Sequence, residues 1–133
     1  MASIKNFSLF LFWTFLILYL SFSPIKGWPQ PTIFQKLYLD KVVHIVMYAV
    51  LGLLLLRSIF IQRKKQTLRF ETICYALIFA STIGIAVEFL QPVLTMYRKF
   101  EWMDMVANTA GVLLGLYIFK WLRSRRYFDL NIL

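Results

Sequence analysis

The sequence has few of the residues with which a soluble domain meets water. Charged residues make up 16% of the 133 residues, whereas 60% are hydrophobic and 18% are aromatic. A typical soluble domain has about 25% charged residues. The chain also has one histidine and one cysteine, Cys74, which excludes an intramolecular disulfide and a thiolate metal cluster. A water-soluble globule is therefore excluded in favour of a membrane protein.

Long hydrophobic runs are what the chain has instead, and its mean hydropathy is +0.68. Four such runs occupy residues 7–22, 42–61, 72–90 and 105–122. Each is close to the roughly 20 residues that carry a helix across a hydrocarbon core of about 30 Å. Spanning segments must satisfy their backbone groups internally, so runs of this length favour helices over a barrel. We predict an all-α membrane protein, one domain over 1–133, with four transmembrane helices in an up-and-down bundle.

The ends of two runs require a decision. Ser21, Phe22 and Ser23 imitate a signal-peptidase site, but Pro24 would follow the cleaved bond, where cleavage is disfavoured. We therefore expect a retained first helix. Pro92 is expected to end the third helix, because proline lacks an N–H and its ring clashes with the preceding turn.

Basic residues predict the orientation. The formal net charge is +9, and the richest basic segments are the loop 62–71 and the C-terminal stretch that follows the last span. The positive-inside rule then places both termini in the cytoplasm. Because the bases lie between apolar runs, they indicate topology and anionic lipid and do not indicate nucleic acid. The loop 62–71 becomes a basic cytoplasmic loop.

The two remaining connections, 24–41 and 91–104, are then outside and are unusually apolar. In the first, Ile33, Phe34 and Leu37 recur at helical spacing, which predicts a short helix lying in the membrane interface. The second is expected to dip into the headgroup region or to line a cavity.

Polar side chains gather near the outer ends of three spans, at helical spacings of three or four residues. They are Asp40, Lys41, His44 and Tyr48 on the second span, Glu88 and Gln91 on the third, Arg98 and Glu101 on the following loop, and Asp104 and Asn108 on the fourth. An intramembrane carboxylate costs about 2.5 kcal/mol or more at mid-span. Glu88 is therefore expected to be protonated, paired or in contact with water. The convergence predicts an outward-facing polar pocket.

Small residues mark one face of the third span and one of the fourth. Gly111 and Gly115 allow close helix approach, as do Ala80 and Gly84. We expect these two faces to meet within the bundle and to bring Glu88 close to Asn108. An oligomer is possible but is not supported by the sequence.

Within this pocket, His44, Glu88 and Asp104 form the candidate catalytic set. The candidate ligand-binding residues are Asp40, Lys41, Tyr48, Gln91, Arg98 and Asn108. Two members also have structural explanations, a buried hydrogen-bonded imidazole for His44 and a helix N-terminal carboxylate for Asp104. One histidine with three carboxylates could bind a divalent ion, but the spacing is not diagnostic, so no metal and no cofactor are predicted.

The segments "DKVVHIVMY", "VEFLQ" and "DMVANTAGVLLG", with an arginine six residues before the last, resemble the VanZ-like family of small bacterial membrane proteins over about residues 40–115. The sequence departs from the family at Met96-Tyr97, where a Pro-Gly pair is frequent. The resemblance implies site roles for the candidate catalytic and ligand-binding residues above and packing roles for Gly111 and Gly115. It also implies a multi-pass protein of the bacterial cytoplasmic (inner) membrane and an association with low-level resistance to the lipoglycopeptide teicoplanin.

The first hypothesis for function is an envelope protein that recognises a lipid-linked or lipidated molecule, with Lys41 and Arg98 holding its phosphate or carboxylate. The alternative is an integral-membrane hydrolase or transferase in which His44 is general base or nucleophile and Glu88 assists. The chain carries no Gly-x-Ser-x-Gly elbow, His-Glu-x-x-His motif or P-loop, so no known enzyme class is indicated. A transporter and a purely structural bundle are the remaining readings.

Overall fold

The computed structural model describes residues 4–23, 33–64, 66–96 and 99–125, and the side chains of 33–38 are outside this description. Four helices are present: α1 (Ser8–Phe22, preceded by a 3-10 turn at Ile4–Phe7), α2 (Ile33–Gln62), α3 (Phe70–Leu94) and α4 (Trp102–Ser124). Each is long and apolar enough to cross a membrane, α1 together with its preceding turn. The predicted all-α membrane protein with four spanning helices is confirmed.

Consecutive helices run in opposite directions. Near the start of α1, the side-chain amide of Asn6 donates to Oε1 of Gln62 at the end of α2, at 2.8 Å. At the same end of the bundle, Arg123 near the end of α4 donates to Oγ1 of Thr67, which precedes α3, also at 2.8 Å. α1 and α3 therefore run one way, while α2 and α4 run the other.

Two boundaries differ from the sequence-based expectation. α2 begins at Ile33 and continues without a break to Gln62, so the expected separate interfacial helix is the first part of α2. α3 passes through Pro92 to Leu94. Because Pro92 lies in the last turn, little helix remains for it to disrupt, and the N–H of Thr95 closes that turn on the carbonyl oxygen of Gln91 at 2.9 Å.

The backbones of α2 and α4 approach each other closely, and glycine makes this possible. A Cβ at Gly111 would overlap the carbonyl oxygen of Ile45, and a Cβ at Gly115 would overlap that of Ala49. Small residues permit such close contact between spanning helices. The two parallel helices therefore form the tightest pair in the bundle.

α3 reaches this pair through Gly84, where a Cβ would lie 2.9 Å from both Asn108 Cβ and Tyr48 Cε1. The expected meeting of the small faces of α3 and α4 thus holds at Gly84. It is wrong for Gly111 and Gly115, which pack against α2. The reason is that the face of α4 that carries them is turned toward α2, while Asn108 reaches both neighbours.

Side chains of the described residues separate by charge along the bundle. The end at which α1 begins, here called the basic end, carries Lys5, Arg57, Arg63, Lys64, Arg69, Lys120, Arg123 and Arg125, with Glu71 as its acidic residue. The opposite end carries the other acidic side chains of the described residues, which are Asp40, Glu88, Glu101 and Asp104, together with Lys41. Between the two ends, α1 is held by the indole N–H of Trp13, which donates to the carbonyl oxygen of Met47 at 2.9 Å.

Candidate functional site

At the end opposite the bases, three helices bring seven polar side chains into contact. This polar cluster consists of Asp40, Lys41 and His44 of α2, Glu88 of α3, and Glu101, Asp104 and Asn108 at the start of α4. Its inner members are buried, with Glu88 and Asn108 fully inaccessible. Its rim is open, since the side chains of Asp40 and Glu101 are 36% and 50% exposed. The cluster therefore grades from solvent into the interior of the bundle.

Lys41 is surrounded by carboxylates. Its ammonium group contacts Oδ1 of the buried Asp104 and lies 2.8 Å from Oε2 of Glu101. It is also 3.8 Å from Oδ2 of Asp40. A buried carboxylate needs such a partner, because the transfer of an ion from water into the protein interior costs roughly several kcal/mol. Lys41 is thus committed to the cluster, and an anionic ligand would have to compete with these carboxylates for it.

A hydrogen-bonded relay connects the imidazole to α3 and α4. Nδ1 of His44 is 2.8 Å from Oδ1 of Asn108, and Nδ2 of Asn108 donates to Oε1 of Glu88 at 3.3 Å. The acceptor Glu88 fixes which way the amide points, and an amide oxygen can only accept a hydrogen bond. The network therefore assigns a proton to Nδ1 of His44.

The other ring nitrogen of His44 faces the rim. Nε2 lies 3.9 Å from Oδ1 of Asp40 and 3.9 Å from Oδ2 of Asp104. Both separations exceed hydrogen-bond range. Among the described residues Nε2 has no hydrogen-bond partner, although His44 is only 8% exposed. One histidine nitrogen and two carboxylates thus face one another directly.

The remaining predicted site residues are placed differently. The phenol of Tyr48, one turn deeper on α2, is 1% exposed and its hydroxyl has no hydrogen-bond partner among the described residues. Gln91 contacts α1, where its Nε2 donates to the carbonyl oxygen of Ser21 at 3.4 Å. Arg98 lies outside the described residues. The structure brings together Asp40, Lys41, His44, Glu88, Asp104 and Asn108.

Glu101 is expected from the sequence among the polar residues at this end but is assigned no role there, and the structure makes it a member of the cluster. It lies immediately before α4 and pairs with Lys41 at 2.8 Å. Its negative charge, three residues from Asp104 and on the same side of the membrane as the lysine of α2, was the available signal. Because Glu101 lies in a loop, helical spacing could not predict which helix its side chain faces.

A shallow apolar groove with a volume of about 480 Å³ lies on α4 beside the cluster, and Ile85 is its one lining residue from α3. On α4 it begins at Trp102 and Met105, which directly follow the cluster members Glu101 and Asp104 in the chain. It then continues through Val106, Thr109, Ala110 and Leu113. A polar cluster and an apolar surface therefore begin at the same level of the bundle.

Comparison with protein-family models gives a match. A protein-family model described as VanZ/LLP1 matches residues 2–123, which is nearly the whole chain. No curated protein and no solved structure matches. The matched range includes every residue of the polar cluster and almost all of the four helices.

Proposed function

The chain belongs to the VanZ/LLP1 family, and from this premise we propose that it is an envelope protein that recognises a lipid-linked or lipidated molecule in the bacterial cytoplasmic membrane. The observation that carries the proposal is the position of the polar cluster beside the apolar groove. A head group meets the cluster, and the attached acyl or polyprenyl chain lies along α3 and α4.

The orientation of the bundle is part of the proposal. The basic end carries nearly all the cationic side chains of the described loops and helix ends. Positively charged segments flanking spans remain in the cytoplasm. The polar cluster then faces the outer leaflet, and both chain termini are cytoplasmic.

The cluster also limits the kind of head group. Within it, three carboxylates surround the ammonium of Lys41, and a fourth, that of Glu88, lies deeper beside His44. Such a site favours hydroxyl and amine donors, which the exposed rim carboxylates of Asp40 and Glu101 accept. A phosphate or carboxylate on the ligand binds Lys41 only by displacing Glu101, its more exposed partner, with Arg98 as the second proposed cation.

A photoreactive lipid probe in nanodiscs tests this function. Labelling is expected in the groove and at the rim, and Ala110→Phe, which fills the groove from its exposed side, is expected to reduce it. Leu11→Phe on the lipid-facing side of α1 is the matched control. Labelling confined to the basic end, or equal labelling of both variants, would contradict the proposal.

Resistance to teicoplanin follows from the same proposal, because that antibiotic carries an acyl chain. Expression in a susceptible host is expected to raise the inhibitory concentration of teicoplanin but not that of a glycopeptide without an acyl chain. An equal rise in the inhibitory concentrations of both compounds would contradict recognition of the acyl chain.

A second candidate function is a membrane hydrolase or transferase, and the relay through Asn108 favours it. The relay leaves Nε2 of His44 directed at the rim, where a general base must act. If the His44→Gln variant still binds the lipid probe but loses cellular function, the result supports the enzyme hypothesis. Full cellular function of both His44→Gln and Glu88→Gln at normal expression eliminates it.

A further inference from the structure

We propose that His44, Asp40 and Asp104 bind one divalent transition-metal ion, with Zn²⁺ as the first candidate. The three donors are Nε2 of the histidine and one carboxylate oxygen from each aspartate. The inference stands on their geometry and does not depend on which lipid the protein recognises.

The donor distances are close to those of a metal site. Nε2 of His44 is 3.9 Å from each of the two carboxylate oxygens, and all three donors lie within 4.8 Å of one another. Donors about 2.1 Å from a tetrahedral zinc ion are about 3.4 Å apart. Small side-chain rotations therefore close the site. Imidazole nitrogen with carboxylate oxygen is a donor set that suits Zn²⁺ and neighbouring first-row ions.

The opposite side of the imidazole supplies an independent observation. Histidines that bind metals almost always donate the other ring N–H to a second group, which fixes the tautomer. Nδ1 of His44 donates in this way to Oδ1 of Asn108, and Nδ2 of Asn108 donates in turn to Oε1 of Glu88. The relay leaves Nε2 directed at two carboxylates from a residue that is 8% exposed. A single cation between the three groups would contact all of them at once.

Lys41 does not occupy these positions, because each aspartate divides its two oxygens. Asp104 presents Oδ1 to Lys41 and Oδ2 to His44, and Asp40 presents Oδ2 to Lys41 and Oδ1 to His44. The lysine and the metal ion are therefore compatible neighbours. A dication also offsets the excess of carboxylates over ammonium groups in a partly buried site, where unpaired charge is costly.

The test is zinc binding to the full chain, purified through a histidine-free tag and reconstituted in nanodiscs of zwitterionic lipid. Equilibrium dialysis against ZnCl₂ is expected to show one saturable ion per chain. His44→Gln and Asp40→Asn are expected to weaken the affinity about tenfold or more. Glu71→Gln, which removes an exposed carboxylate at the basic end, is the matched control and is expected to bind as wild type does.

A spectroscopic measurement on the wild-type protein tests the same proposal without relying on variants, which could lose zinc binding by misfolding. Cu²⁺, which binds nitrogen and oxygen sites more tightly than Zn²⁺, is expected to give an electron paramagnetic resonance spectrum with coupling to one nitrogen. A spectrum without nitrogen coupling overturns the proposal, as does equal zinc affinity in all four proteins. Absence of saturable binding also overturns it. No lipid-linked ligand is present, so failure here leaves the proposed function standing.

Discussion

Asn108 on α4 accepts a hydrogen bond from Nδ1 of His44 on α2 through its side-chain oxygen, at 2.8 Å. This contact joins the two helices whose backbones also touch at Gly111 and Gly115. It is buried on both sides, so neither group can exchange its partner for water without opening the bundle. The pair therefore links the stability of the bundle to the chemistry of the polar cluster.

Replacing Asn108 by leucine tests this link. Asn108→Leu keeps a similar volume but leaves the histidine N–H and the Glu88 carboxylate without the amide between them. The expected loss in the free energy of unfolding is about 3 kcal/mol, measured by SDS titration in mixed micelles. The matched control is Thr109→Val, which removes only a local bond to the Met105 carbonyl and should cost below about 1 kcal/mol. Equal losses would show that the relay contributes nothing specific.

Gly115→Ala tests the closeness of α2 and α4. The added methyl group would overlap the carbonyl oxygen of Ala49, so the helices must separate. We expect a loss of about 1–3 kcal/mol in the same titration. Ala110→Val, which adds bulk to the exposed face of the same helix, should change stability by less than about 0.5 kcal/mol. Tolerance of Gly115→Ala would mean that the helices are further apart.

Lys41→Met tests the charge balance of the cluster. The substitution leaves the Asp104 carboxylate, which is 6% exposed, without its ammonium partner. A loss of about 2–3 kcal/mol is expected, below the full value for a buried pair because Lys41 itself is 17% exposed. Adding Asp104→Asn should restore part of it. Lys120→Met, an exposed base at the basic end, should be near neutral. An additive double variant would refute the pairing.

The proposed orientation is tested with single cysteines in a Cys74→Ala background. Met96 is 99% exposed and lies beyond α3 at the polar-cluster end, so it is the first position for a cysteine, Met96→Cys. It should react with a membrane-impermeant maleimide in intact cells. Gln66→Cys, in the connection at the basic end, should react only after permeabilisation. The reverse pattern would invert the bundle and place the cluster in the cytoplasm.

Local sequence properties were enough to predict the four spans. Hydropathy located all four helices, because each span must bury its own backbone whatever its neighbours do. The ends of the helices were harder to predict. The start of α2 at Ile33 and the passage of α3 through Pro92 depend on what the chain meets outside the apolar core, which hydropathy does not describe.

The sequence predicted which residues form the site better than it predicted which of them contact one another. Four-residue spacing places Asp40 and His44 on one face of α2, and the expected approach of Glu88 to Asn108 agrees with the 3.3 Å contact. That Lys41 pairs with Asp104 depends on the rotation of α4 about its axis. The small residues of α4 set that rotation, and their spacing does not say which helix they face.

The direct contact of α2 and α4 has a mechanical consequence. The three proposed metal donors all belong to this closely packed pair, while Glu88 reaches the relay from α3. A displacement of α3 alone would therefore change the contact of Glu88 with Asn108 and leave the donors of α2 and α4 at their spacing.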